Sequence, residues 1–63
     1  MMYRFTWEDD GEFVDDAVVS EFVAVRLLQA EGIEEADAGL FLREKAAHLD
    51  TLNGYRLTIR AEG

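Results

Sequence analysis

The chain carries nearly the same five-residue segment twice, Tyr3-Arg4-Phe5-Thr6-Trp7 and Tyr55-Arg56-Leu57-Thr58-Ile59. In each, aromatic or aliphatic residues alternate with Arg and Thr, the period of a strand with one buried face. The alternation extends to Glu8 in the first copy and to Arg60 and Ala61 in the second. The likeness is a shared strand grammar rather than a functional repeat. Whatever lies between must return the chain so that these two strands meet.

Two helical segments separated by Gly32-Ile33 supply that return. The first starts between Gly11 and Asp16 and runs to about Glu31, where Gly32 can take the left-handed conformation that ends a helix. Its beginning reads in two ways. Asp9-Asp10-Gly11-Glu12 is either a capping box or a tight turn that returns Glu12-Phe13-Val14 as a short strand before a helix capped near Asp15. The second segment runs from about Glu34 or Asp37 to Leu52 and stops at Asn53-Gly54. Gly39 weakens its first turn by up to about 1 kcal/mol relative to Ala. The expectation is a single α+β domain over residues 1–63, strand-helix-helix-strand, with a two-stranded antiparallel ribbon packed on a helical hairpin.

The first helical segment is more apolar than such a fold needs. At helical spacing, Val14, Val18, Phe22, Val25 and Leu28 form one stripe, and Val19, Val23, Leu27 and Ala30 a second. On the second segment Ala38, Phe41, Leu42, Ala46, Leu49 and Leu52 share a face, with Leu40 opposite, near Ala36 and Ala47. A core that uses both stripes is the plain reading. The other is a homodimer, in which open ribbon edges pair across a two-fold axis and the surplus is buried.

Size makes this packing matter. With 63 residues, only about 60% of the unfolded chain's surface is buried on folding. No Cys and one His, His48, leave no disulfide or thiolate zinc site to staple it. At 49% hydrophobic residues the chain is too apolar for a disordered acidic tail. Its apolar stretches, broken by Ser20, Glu21, Arg26 and Arg43, fall short of the roughly 20 residues needed to span a bilayer. The charged start, Met1 to Asp10, is unlike a signal peptide, so a cytoplasmic location is expected.

Catalytic patterns are missing. Ser20 is expected in mid-helix, without a Gly-rich nucleophile turn and with His48 alone to serve as its base. A glycosidase-like carboxylate pair needs a cleft that so short a chain seldom encloses. Glu8-Asp9-Asp10-Gly11-Glu12 resembles a calcium loop but lacks the alternate-position oxygens and the terminal Glu. His48, beside Lys45, is expected to interact with the second helix's C-terminal dipole. No enzymatic activity, metal or cofactor is expected.

What remains is charge. Fourteen acidic residues against six basic ones give 6 − 14 = −8, and ten of the acids fall in two bursts. Glu8, Asp9, Asp10, Glu12, Asp15 and Asp16 form the first, and Glu31, Glu34, Glu35 and Asp37 the second. Carboxylates at a helix start contribute roughly 0.3–1 kcal/mol each, but one or two per terminus capture that benefit and more repel one another. In the expected topology the bursts make two negative poles about 25–30 Å apart, at opposite ends of the first helix. Arg4, Arg56 and Arg60 gather on the outer sheet face. Such a surface disfavours nucleic acid and anionic membranes as ligands and favours a basic protein.

In size, acidity and lack of catalytic groups the chain resembles the small acidic anti-CRISPR and anti-restriction proteins of bacteriophages, which mimic DNA. The resemblance spans the whole chain by composition and is carried by Glu8 to Asp16 and Glu31 to Asp37. Those proteins share no motif, so no residue role transfers position by position. The resemblance implies a stoichiometric inhibitor acting in the host cytoplasm on a basic nucleic-acid-binding protein, such as the DNA-recognising subunit of a CRISPR effector. Two other classes compete. One is a homo-oligomeric adaptor or antitoxin-like protein working through Val19, Val23, Leu27 and Leu40. The other is a protein of a high-salt cytoplasm, suggested by one Lys against five Arg, whose acids say nothing of partners.

Overall fold

The computed structural model describes residues 1–43 and 47–62. The fold is α+β: strands β1 (Met2–Asp9) and β2 (Glu12–Ser20), helices α1 (Glu21–Ala30) and α2 (Glu35–Arg43), then strands β3 (Ala47–Asp50) and β4 (Arg56–Glu62). The strands form one sheet in the order β2-β1-β4-β3, every neighbouring pair antiparallel. The two near-identical segments are its central pair, with Phe5 opposite Ile59 and Trp7 opposite Leu57. The expected two-stranded ribbon is thus the middle of a four-stranded sheet.

Both added strands come from hairpins. After β1 the chain reverses through Asp10 and Gly11, with φ of 51° and 83°, the two positive values of the turn that matches the twist of a tight hairpin. Glu12–Ser20 then pairs along the whole of β1 instead of opening a helix. Its Val14, Val18 and Val19 are β-branched, at home on a pleated surface. A register shift between Trp7 and Glu8 leaves Val14 as the extra residue on β2, since Trp7 pairs with Asp15 and Glu8 with Phe13. That bulge breaks the alternation of the strand.

Helix α1 therefore starts at Glu21. Ser20, expected in mid-helix, is its cap: its Oγ accepts the Val23 N–H at 3.4 Å. At the far end Gly32 has φ 87°, its N–H donates to Gln29 O, and the Ile33 N–H donates to Leu28 O. This doubly bonded termination is the one Gly32 predicts. Ile33 packs against the core that holds Leu28.

Helix α2 is described to Arg43, and the chain that follows enters β3, so the expected helix to Leu52 is wrong. Asn53-Gly54 closes the β3–β4 hairpin rather than a helix. There the Gly54 N–H donates to Thr51 O, Tyr55 N–H to Thr51 Oγ1, and Thr51 N–H to Tyr55 O. These bonds satisfy Thr51, the one buried polar side chain among the described residues. His48 belongs to β3, with Nδ1 3.3 Å from Thr58 Oγ1. Lys45 and Ala46, expected in the helix, lie outside the described residues.

The helices cover one face of the sheet. Tyr3, Phe5, Leu57 and Ile59 meet Ala24, Leu28, Ala38 and Leu42 in a single core, flanked by Trp7, Val19, Val25, Leu27, Phe41 and Leu49. Phe5, Leu28, Leu57 and Ile59 are each under 2% exposed, and full burial stabilises by about 1.5–3 kcal/mol per side chain. The opposite face carries Arg4, Arg56 and Arg60, as the alternation predicts. Arg4 lies across from Arg60, and that repulsion is offset by ion pairs to Asp16 at 2.6 Å and Glu62 at 3.0 Å. Hydrogen bonds from Arg4 to Glu62 and then Asp16 hold the guanidinium above its ordinary pKa.

Candidate functional site

The order of elements decides where the acids gather. With β1 taken as running upward, β2 descends, β3 rises and β4 descends. The turns at Asp10-Gly11 and after Asp50 therefore share the upper end. A direct contact holds the end of α1 there. The Leu52 N–H in the last turn donates to Glu31 Oε2 at the end of α1, 3.1 Å away. Glu8, Asp9, Asp10 and Gly11 line one depression of about 430 Å³ together with Asp50, Gly54 and Arg56.

The two bursts are therefore not two poles. The first burst is expected at the start of α1, but Glu8 to Glu12 form a hairpin tip at the end of the sheet where Leu52 meets Glu31, the last residue before the α1–α2 connection. Asp50 joins them, a residue outside either burst. Only the four-residue strand β3 brings it there, and so short a strand leaves no periodic trace in the sequence.

The ten carboxylates are not equivalent. Asp9, Asp10 and Glu12 are exposed at the hairpin tip, and Glu8 is half-buried beside them. Glu34 and Asp37 line a groove of about 610 Å³ with Gly32, Ile33, Leu40 and Phe41. Glu35 turns to the other side of the helical pair, sharing a groove with Glu21, Phe22, Val25, Arg26 and Gln29. Glu35 and Asp37 also sit in the first turn of α2, where they favour the helix dipole. Glu31 is spent on Leu52, and Asp16 on Arg4. Asp15 stands opposite Trp7 at the bulge, and its Oδ1 accepts the Asp16 N–H at 2.8 Å.

Among the described residues Arg4 is the one cation in ion pairs, and none of those pairs involves Glu8, Asp9, Asp10, Glu31 or Asp50. Arg56 is the one basic residue lining the depression between the two β-turns. Potentials of like sign add over such a surface and attract cations over about a Debye length, near 10 Å at 0.1 M salt. Among the described residues no set of three His, Cys, Asp or Glu is arranged to hold a metal ion, and no helix is long and apolar enough to cross a membrane.

Apolar surface is exposed elsewhere. Edge strand β2 presents Phe13 at 67% exposure with Val14 and Val18, and the start of α1 presents Phe22 at 72% with Val23. The Arg26 guanidinium lies 5.5 Å from the Phe22 ring centre. Val19 and Leu27, expected on a free helix face, are half-buried against the core, whereas Val23 and Leu40 remain exposed. No protein-family model, curated protein or solved structure matches this chain.

Proposed function

We propose that this protein is a stoichiometric inhibitor that binds a basic nucleic-acid-handling protein through its acidic end and occupies the surface that otherwise holds phosphates. The reading rests on Glu8, Asp9, Asp10 and Asp50, which line one depression at the upper end of the sheet, and on Glu31, which the Leu52 N–H holds at the adjoining turn. Lys and Arg grooves that attract nucleic acid attract such a surface by the same counterion release. A CRISPR effector subunit that recognises target DNA is one partner of this class.

The test is capture of partners from a bacterial lysate at about 50 mM and about 200 mM salt, a range over which multi-phosphate contacts weaken steeply. Captured proteins are then challenged with duplex DNA. A basic protein released by salt and by DNA supports the reading. One that binds DNA and this chain at the same time removes it.

A second reading rests on the edge strand. β2 is nine residues long, unpaired along its outer side, and carries Phe13, Val14 and Val18, with Phe22 and Val23 following on α1. Such an edge pairs with another strand unless it is protected, and Glu12, Asp15, Asp16 and the bulge are protections of the usual kind. If self-association is the protein's work, its mass in solution is at least doubled, and the assembly persists or tightens as salt rises.

A further inference from the structure

Beyond the helix-covered core, the upper end of the inner sheet face opens into a shallow cavity of about 240 Å³ lined by Trp7, Val14, Asp15, Asn53 and Tyr55. We infer that this cavity seats an arginine side chain of the basic partner. The inference rests on the proposed acidic-surface function and names the contact that gives it specificity.

Each wall is fixed by the fold. Trp7 is half-buried and braced by Phe5, which is fully buried, with ring centres 5.9 Å apart at 46°. Tyr55 has both its backbone groups bonded to Thr51. The bulge of β2 sets Val14 and Asp15 together opposite Trp7, where a regular strand would place one residue. Asp15 Oδ1 is occupied by the Asp16 N–H, and Oδ2 makes no hydrogen bond among the described residues.

Two aromatic rings, one aliphatic side chain and a carboxylate are the chemistry of a cation on an apolar stem. Aromatic rings attract guanidinium through their negative faces, and the planar group stacks on them while donating to a carboxylate. The net charge of −8 and the nearby acidic turns repel an anionic occupant. Lysine, a compact and strongly hydrated ammonium, gains less from stacking. The acidic end draws the partner in, and this cavity holds one of its side chains in a defined place.

Trp7 is the only tryptophan, so its emission reports on the cavity directly. The probe is a dye-labelled nona-arginine peptide at low salt, with binding followed by dye anisotropy and, separately, by Trp7 emission. The expected result is a saturable Trp7 change that tracks anisotropy, with a nona-lysine peptide bound more weakly. Asp15→Asn and Tyr55→Ala, each checked for an unchanged circular dichroism spectrum, lower arginine-peptide affinity by about two- to five-fold. Peptide binding with Trp7 emission unchanged, with equal affinity for the lysine peptide, or with both variants at full affinity overturns the cavity assignment and leaves the acidic-surface reading standing. Absence of any anisotropy change overturns both.

Discussion

The backbone N–H of Leu52 donates to Glu31 Oε2 across 3.1 Å, tying the β3–β4 turn to the end of α1. Leu52 itself is 77% exposed, so its side chain takes no part in the core. The bond holds Glu31 at the same end of the molecule as the depression lined by Glu8, Asp9, Asp10 and Asp50. Glu31→Ala costs about 1 kcal/mol, the usual net worth of such a bond near solvent. Glu31→Gln keeps the acceptor and loses less. Urea unfolding with an unchanged m-value and a lowered midpoint for the alanine variant checks this.

Asp10 stands at φ 51° between Asp9 and Gly11. A β-branched residue is strained there, so Asp10→Val costs about 1–2 kcal/mol, whereas Asp10→Asn is close to neutral. In a domain of this size each kcal/mol moves the melting temperature by about 4–8 °C. Thermal melts of the two variants separate turn geometry from charge, and they make Asn the substitution to use when that charge is removed.

Leu28 lies at the centre of the core and is fully buried, bridging α1 to the sheet. Leu28→Ala removes about 2–5 kcal/mol. For a chain this short that is a large share of the total, and the variant is largely unfolded at 37 °C by circular dichroism.

Burial raises the phenol pKa of Tyr3, and the charge and hydrogen bond of Glu21 at 3.4 Å raise it further. The folded state therefore binds that proton more tightly than the unfolded chain. Its contribution is intact below the ordinary value near 10 and is lost as pH rises through the raised one. Unfolding free energy falls with pH in this alkaline window, and Tyr3→Phe, compared with the parent chain, flattens the decline.

What the sequence conveys about this fold depends on how each strand is buried. β1 and β4 are legible because Tyr3, Phe5, Leu57 and Ile59 face the helices in strict alternation. β2 is not. It is an edge strand with most side chains exposed, and the bulge near Val14 shifts its alternation, leaving Val14, Val18, Phe22 and Val25 at a spacing that imitates a helix. β3 offers four residues with Leu49 packed on the core, too few to reveal a period. The hairpin at Asp10-Gly11 is one of two local readings, and local chemistry alone does not choose between them.

The acids are legible as residues but not as a surface. Composition identifies Glu8 to Asp16 and Glu31 to Asp37, while their meeting depends on where the chain reverses. Reading Glu12–Ser20 as helix sends the first burst to the opposite end from the second. The structure turns Glu8 to Asp10 back toward Asp50, while Glu31 meets the neighbouring turn at Leu52.

The decisive experiment is competition between duplex DNA and this protein for a captured basic partner. It is run with the parent chain and with a variant carrying Asp9→Asn, Asp10→Asn, Glu12→Gln and Glu34→Gln. These positions are exposed, have no ion pair among the described residues, and leave the Glu31 and Asp16 contacts in place. The parent chain is expected to displace DNA stoichiometrically and to lose affinity as salt rises. The variant keeps the fold, gains stability in dilute buffer from relieved repulsion, and binds at least ten-fold more weakly, roughly the effect of losing several charge contacts. Undiminished competition by the folded variant, or a partner that holds both ligands at once, contradicts the proposed function.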